Sequence, residues 1–153
     1  MTDYERILVP VDFSTHSGEA TRVAADLAKR FNSSLTLVYV YDPLAYSLPD
    51  GFAMLAKADM DRLFEAFRTQ LAASRQQAFD AGATRVDTKL LTGFVANEIV
   101  EFASRGQFSL IVMGTHGRTG MLHLAMGSIA ERVVRLAPCP VLTVKGPPPT
   151  PSA

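Results

Sequence analysis

The chain has 153 residues, 48% of them hydrophobic, which fits one domain with its own core and rules out a disordered chain. Fifteen Lys and Arg balance fifteen Asp and Glu, so no global positive field exists to draw in nucleic acid or an anionic membrane, and neither is expected as a partner. The single cysteine, Cys139, excludes an intrachain disulfide, and no apolar run is long enough to span a bilayer.

The charged start, Met1 to Arg6, lacks the apolar segment of a secretory signal, so a cytoplasmic protein is expected. Arg6-Ile7-Leu8-Val9-Pro10-Val11-Asp12 is a short, nearly continuous apolar run, as in a strand buried on both faces of a parallel sheet. Pro10 cannot donate to a ladder, so pairing should fail near it, at the strand's carboxyl end. Ala20, Val23, Ala24, Leu27, Ala28 and Phe31 then recur at helical spacing, with Ser14, Thr15 and Ser17 as N-cap candidates upstream. Residues 34–40, rich in β-branched and aromatic side chains, predict a second strand. Residues 42–56 carry Pro43, Pro49 and Gly51 and read as a long loop, a candidate flap over a site.

A second helix is expected near Lys57 to Asp80, with Met60, Leu63, Phe67, Leu71 and Ala78 inward and Gly82 as its stop. Val86, Thr88 and Leu90 alternate as in a third strand. A helix over about 96–104 buries Ala96, Ile99, Val100 and Ala103. Residues 108–113 form the fourth and most apolar strand. A helix over about 128–136 shows Ile129, Val133 and Leu136 on one face, and residues 140–144 give the fifth strand. Strands alternating with helices imply a parallel sheet covered on both faces, in one domain over 1–145. The Gly- and Pro-rich tail, 146–153, is expected to be disordered.

The chemistry concentrates between Met113 and Ser128, where the chain leaves the fourth strand for a helix. Gly114 and Gly117 have two residues between them, Gly117 and Gly127 have nine, and Ser128 follows at once. Glycine permits tight turning and close approach to a ligand, and Ser128 is placed to cap the helix. A helix N-terminus offers unpaired N–H groups and a positive dipole end to a phosphate, to which Arg118 would add a charge-assisted bond. Open α/β sheets bind ligands beyond the carboxyl ends of their strands, where strand order reverses. If strands one and four are neighbours, Asp12 faces the glycine loop across that crevice, a carboxylate suited to ribose hydroxyls opposite amides suited to phosphates.

Each signal alone has a plainer meaning. Glycines after a strand are common in turns, and a lone Asp12 more often serves a loop or a cap. No lysine follows the last glycine, so the P-loop pattern fails; so does the dinucleotide fingerprint, because only Gly18 follows strand one. His16, His116 and His123 show no metal-ligand spacing with Cys139. His116 and His123 read as solvated loop residues, and Cys139 as a small packing residue.

Over nearly its full length the chain resembles the universal stress protein family. The resemblance rests on residues 7–12, on Val38-Tyr39-Val40, on Gly114-Thr115-His116-Gly117 through Gly127-Ser128, and on residues 138–144. The glycine spacing looks like that of the family's ATP-binding branch. The resemblance implies a Rossmann-like, five-stranded parallel sheet of order 3-2-1-4-5. It implies that Pro10, Asp12 and Val40 border adenine and ribose, and that Met113, Gly114, His116, Gly117, Gly127, Ser128 and Ile129 border ribose and phosphates. It further implies a homodimer, often through the last strand; an exposed edge at Val141 to Val144 gives a physical reason.

The expected function is therefore an ATP-binding regulatory or stress-response protein with at most slow hydrolysis, with AMP or ADP as alternative ligands and Mg2+ as a possible companion. No second carboxylate clearly joins Asp12 to hold that metal. Two alternatives are weighed against it. An adenylating enzyme of a related α/β group is disfavoured because Phe13-Ser14-Thr15-His16 stands where a glycine- and serine-rich loop is expected. A nucleotide-independent interaction module is disfavoured because the glycine pattern is intact.

Overall fold

The computed structural model describes residues 3–46, 57–117 and 126–147. Five strands, β1 (Arg6–Pro10), β2 (Ser34–Tyr41), β3 (Val86–Thr92), β4 (Leu110–Gly114) and β5 (Val141–Val144), form one all-parallel sheet in the order β3-β2-β1-β4-β5. Four helices connect them: α1 (Thr15–Phe31), α2 (Lys57–Asp80), α3 (Val95–Arg105) and α4 (Ser128–Leu136). No helix among the described residues is long and apolar enough to cross a membrane.

Strand alternation divides the core in two. Ile7, Val9 and Val11 point to one face with Leu35 and Leu37, where the alanines of α1 and Phe67 and Leu71 of α2 cover them. Leu8, Val38, Val40, Ile111 and Met113 point to the other, beneath Ile99 and Ala103 of α3 and Ala130 and Val133 of α4. Both faces of β1 are therefore dry, which is why its sequence reads as a continuous apolar run.

Pro10 shapes the sheet more selectively than its sequence position predicts. The β1–β2 ladder runs through Pro10, paired with Val38, and continues with Val11 N–H donating to the Val38 carbonyl at 2.9 Å. The β1–β4 register stops at Leu8. Arg6 N–H and carbonyl both bond Ser109, so even-numbered residues of β1 address β4, and the donor missing at Pro10 is missing on that side. Pairing fails next to β4 alone, so the two central strands part at their carboxyl ends.

Local signals explain most boundaries. Ser14 caps α1, its side chain accepting from Ser17 N–H at 3.2 Å. Gly82 ends α2 at φ 110°. Three expectations need correction. Residues 42–56 are not a plain loop throughout, since Pro43–Tyr46 forms a 3-10 turn, led by Asp42 Oδ1 accepting from Leu44 N–H at 2.9 Å; residues 47–56 lie outside the described residues. Phe31 does not join the inner stripe of α1: it is 51% exposed and packs edge-on against Tyr4. On α4, Ala130 and Val133 face inward while Ile129 and Leu136 are exposed, because the small Ala130 lets the helix lie close to the sheet. The expected tail falls mostly outside the described residues, which end at Pro147.

Candidate functional site

The parting of β1 and β4 opens a cleft of about 300 Å3 beyond the carboxyl ends of the strands, at the lower end of the range for small-molecule sites. Ten of the eleven residues singled out in the sequence line it: Pro10, Asp12, Val40, Met113, Gly114, His116, Gly117, Gly127, Ser128 and Ile129. The eleventh, Arg118, lies outside the described residues, as does His123.

One end of the cleft is apolar. Val38 and Val40 of β2, Ala45 of the 3-10 turn, and Val95 and Ile99 of α3 form it. Of these only Val40 was foreseen; the strand-end rule, applied to the starts of the turns after β2 and β3, would have found Ala45 and Val95 as well. Backbone direction matters here. Ser34 N–H donates to Glu5, and Leu35 N–H to Arg85, so even-numbered residues of β2 address β1. Val40 lies two residues past Val38, the partner of the last residue of β1. Its N–H and carbonyl therefore face the gap that opens where β1 ends.

Asp12 stands at the middle. Its Oδ1 accepts from Ser14 N–H at 3.0 Å and from Ser14 Oγ–H at 2.5 Å, and its own N–H donates to Ser17 Oγ at 3.3 Å. The plain reading of this carboxylate as a turn residue is thus correct for one oxygen. Oδ2 lies on the side of the glycine loop, 2.7 Å from where a Cβ on Gly117 would be. Only glycine at 117 lets that oxygen come so close.

Between Asp12 and Ser14, Phe13 has φ 66°, a left-handed conformation that costs a bulky L residue about 1–2 kcal/mol. Its ring stacks on Tyr39 with centroids 4.8 Å apart and planes 23° apart. A stacked aromatic pair contributes about 0.5–1.5 kcal/mol beyond burial, a gain of the same size as the backbone cost.

The other end is polar backbone. Gly127, not Ser128, is the N-cap of α4, with no side-chain cap bond; Ser128 is the first helical residue. The expectation of a capping serine is corrected accordingly. Gly127 N–H donates to the Thr115 carbonyl at 2.7 Å, so that amide is engaged inside the loop. The first helical bond runs from Glu131 N–H to the Gly127 carbonyl at 2.9 Å. Ser128, Ile129 and Ala130 therefore have no helical acceptor for their N–H groups, and all three line the cleft. Ala130 was missed in the sequence because its apolar side chain hides what its backbone does.

Asp12 and Asp42 are the acidic side chains of the described lining, beside His116, and no Lys or Arg accompanies them there. His116 is half-buried, not fully solvated; its Nδ1 lies 2.9 Å from Thr115 Oγ1, and its ring centroid 5.7 Å from that of His16. Among the described residues no group of three or more His, Cys, Asp or Glu is placed to hold a metal ion. Cys139 is half-buried against the α3/α4 core, and burial pushes its thiol up, as suits a packing residue.

Comparison with known proteins agrees with this architecture. The model of the universal stress protein family matches residues 3–145. A universal stress protein of Methanocaldococcus jannaschii is 39% identical over 145 residues, covering 94% of this chain and 84% of the relative. Among solved structures, the universal stress protein UspA of Lactobacillus plantarum superposes with a TM-score of 0.79 at 28% identity, over 94% of this chain and 99% of that one. A universal stress protein of Archaeoglobus fulgidus, solved in complex with dAMP, gives a TM-score of 0.67 at 25% identity, over 94% and 99% of the two chains.

Proposed function

The chain belongs to the universal stress protein family, and from that premise we propose that its cleft binds an adenine nucleotide, ATP first with ADP or AMP as alternatives, in a regulatory role with at most slow hydrolysis. One observation carries the reading: the Asp12 carboxylate meets Gly117 across the gap between β1 and β4, with the unpaired first-turn amides of α4 in the same cleft. The apolar end suits a base, which the Val40 N–H and carbonyl can read as an adjacent donor and acceptor. Asp12 suits ribose hydroxyls. The amides of Ser128, Ile129 and Ala130 suit phosphates, with Gly114 and Gly127 keeping the loop close and Arg118 adding charge. The Archaeoglobus fulgidus neighbour holds dAMP, which favours adenine as the base.

The charge balance of the lining bears on Mg2+. Two carboxylates and no cation among the described lining residues disfavour a bare triphosphate, so the metal would arrive on the phosphates, with Asp12 as the candidate protein ligand beside the glycine loop. Its chemistry there is charge neutralisation. Isothermal titration of nucleotide-stripped protein with ATP, ADP and AMP, each with Mg2+ and with EDTA, tests both points. Binding of ATP that weakens in EDTA more than binding of AMP is expected. No heat with any of the three at high concentration overturns the nucleotide reading.

We also propose that two copies associate through β5. This strand is an edge, paired to β4 alone, and Leu142 on it is exposed together with Val134 and Leu136 of α4. Light scattering should give a dimer that Leu142→Arg converts to monomer. A monomeric wild type ends this proposal and leaves the nucleotide reading intact. The functional unit is residues 1–145, with 146–153 as an appended tail.

A further inference from the structure

We propose that Phe13 is a positioning residue for the cleft: its ring, stacked on Tyr39, holds a left-handed turn that keeps the Asp12 carboxylate against Gly117. The inference rests on the nucleotide reading, and it concerns a residue that does not itself line the cleft.

A bulky side chain at φ 66° is an outlier that needs something to hold it. Here the holding contact is Tyr39, which lines the cleft and also belongs to the core beneath α1 and α2. The half-buried Phe13 ring packs against the α1/α2 half of the core, stacked on Tyr39. Tyr39 meets Phe67 with centroids 4.5 Å apart, and Phe67 is buried in α2. An aromatic column thus fixes the turn to both the sheet and a helix.

What the turn achieves is local. Reversing the backbone at residue 13 brings Ser14 back under Asp12, so that Ser14 N–H and Oγ–H both donate to Asp12 Oδ1. That grip sets the carboxylate plane and leaves Oδ2 on the Gly117 side. With β1 and α1 fixed by the sheet and core, another φ at residue 13 would shift Ser14 relative to Asp12 and loosen that grip. Glycine would meet the same backbone demand without strain and without a ring.

This reverses the usual ranking of truncations. If Phe13 served packing alone, Phe13→Gly would be the worse change, because it removes one more carbon and loosens the unfolded chain. If Phe13 holds the turn, Phe13→Ala is the worse, because it loses the stack and keeps the strain. Affinity for ATP and AMP is measured by titration calorimetry on the full chain, well below each variant's unfolding temperature. Hydrogen exchange at the Ser14 amide is followed by NMR on the same samples without nucleotide. Phe13→Ala should weaken binding about tenfold, the ratio implied by a left-handed backbone penalty, and Phe13→Gly by clearly less. The Ser14 amide should exchange fast in Phe13→Ala and slowly in Phe13→Gly. The proposal is overturned if Phe13→Ala binds like wild type, or if Phe13→Gly binds more weakly than Phe13→Ala. If wild type binds no nucleotide, the functional reading falls. Ser14 exchange then decides Phe13 alone: protection in Phe13→Gly but not in Phe13→Ala supports the positioning role, and equal exchange in the two removes it.

Discussion

The turns after β1 and β4 face each other across the cleft, and each uses the residue type that simple rules assign to the other. The turn after β1 needs a positive φ and has Phe13 there, at 66°. The turn after β4 has the glycines, yet among the described residues the glycines with positive φ are Gly82 and Gly93, neither of them in the cleft. Gly114, Gly117 and Gly127 are small for the sake of space. A Cβ would stand 3.1 Å from His16 backbone at 114, 2.7 Å from Asp12 Oδ2 at 117, and 3.2 Å from the Thr115 carbonyl at 127. One turn is thus held by a ring and the other by the absence of side chains. The contrast shows that glycine spacing in this fold reports how closely segments approach, not how sharply the chain bends.

If the cleft depends on that approach, the largest loss should come from the group approached. Asp12→Ala would remove the charge-assisted hydrogen bonds proposed to the ribose and should weaken nucleotide binding by about ten- to a hundredfold in calorimetry. It also removes the acceptor for Ser14 N–H and Oγ–H, so a small fall in melting temperature should accompany it. Unchanged affinity would take Asp12 out of the site and leave β1 with a purely structural turn.

Next comes the residue that makes room. Gly117→Val puts a branched side chain where Asp12 Oδ2 lies. The atom displaced is the tip of a half-buried side chain, which can swing away, so the fold should hardly notice. A change in melting temperature within about 2 °C is expected. Affinity should fall about tenfold, the lower end of the range for deleting the carboxylate, because Asp12 remains and is only misplaced. A large loss of stability with unaltered affinity would show that the approach serves folding and not the ligand.

The sequence alone carried the fold far, since β1, β2 and β4 are buried runs and α1 to α3 have clear stripes. Strand order was not in the periodicity; it came with the resemblance. Within the site, residue type announced the carboxylate and the glycines but not what the backbone does with them. Phe13 has no signature of a left-handed turn, because its φ is fixed by a ring stacked on a residue of another strand, 26 positions away. The Gly127 amide reads in sequence as an anion donor, and only the 2.7 Å bond to Thr115 shows it engaged. Ile129 and Leu136 share a stripe with Val133. A helical stripe, however, does not reveal which side of a short helix a small residue such as Ala130 will draw toward the sheet.

The smallest effect should come from the N-cap of α4, and it separates the two ends of the cleft most cleanly. Gly127 has φ −70° and ψ 158°, the extended geometry of an N-cap, with no side chain to use it. Gly127→Ser supplies a hydroxyl able to accept from an amide of the first turn, Ile129 or Ala130. Its Cβ meets the Thr115 carbonyl at 3.2 Å, so the new cap and the crowding oppose each other, and stability should change by less than about 0.5 kcal/mol. The hydroxyl would compete with phosphate for that amide, so ATP affinity should fall about threefold, well under 1 kcal/mol. Adenosine, which has no phosphate, should bind the variant and the wild type alike. An equal loss for adenosine and ATP would mean that the serine disturbs the whole cleft. No loss for either would mean that the α4 amides do not hold the phosphates, and the Asp12 end would then have to carry recognition without them.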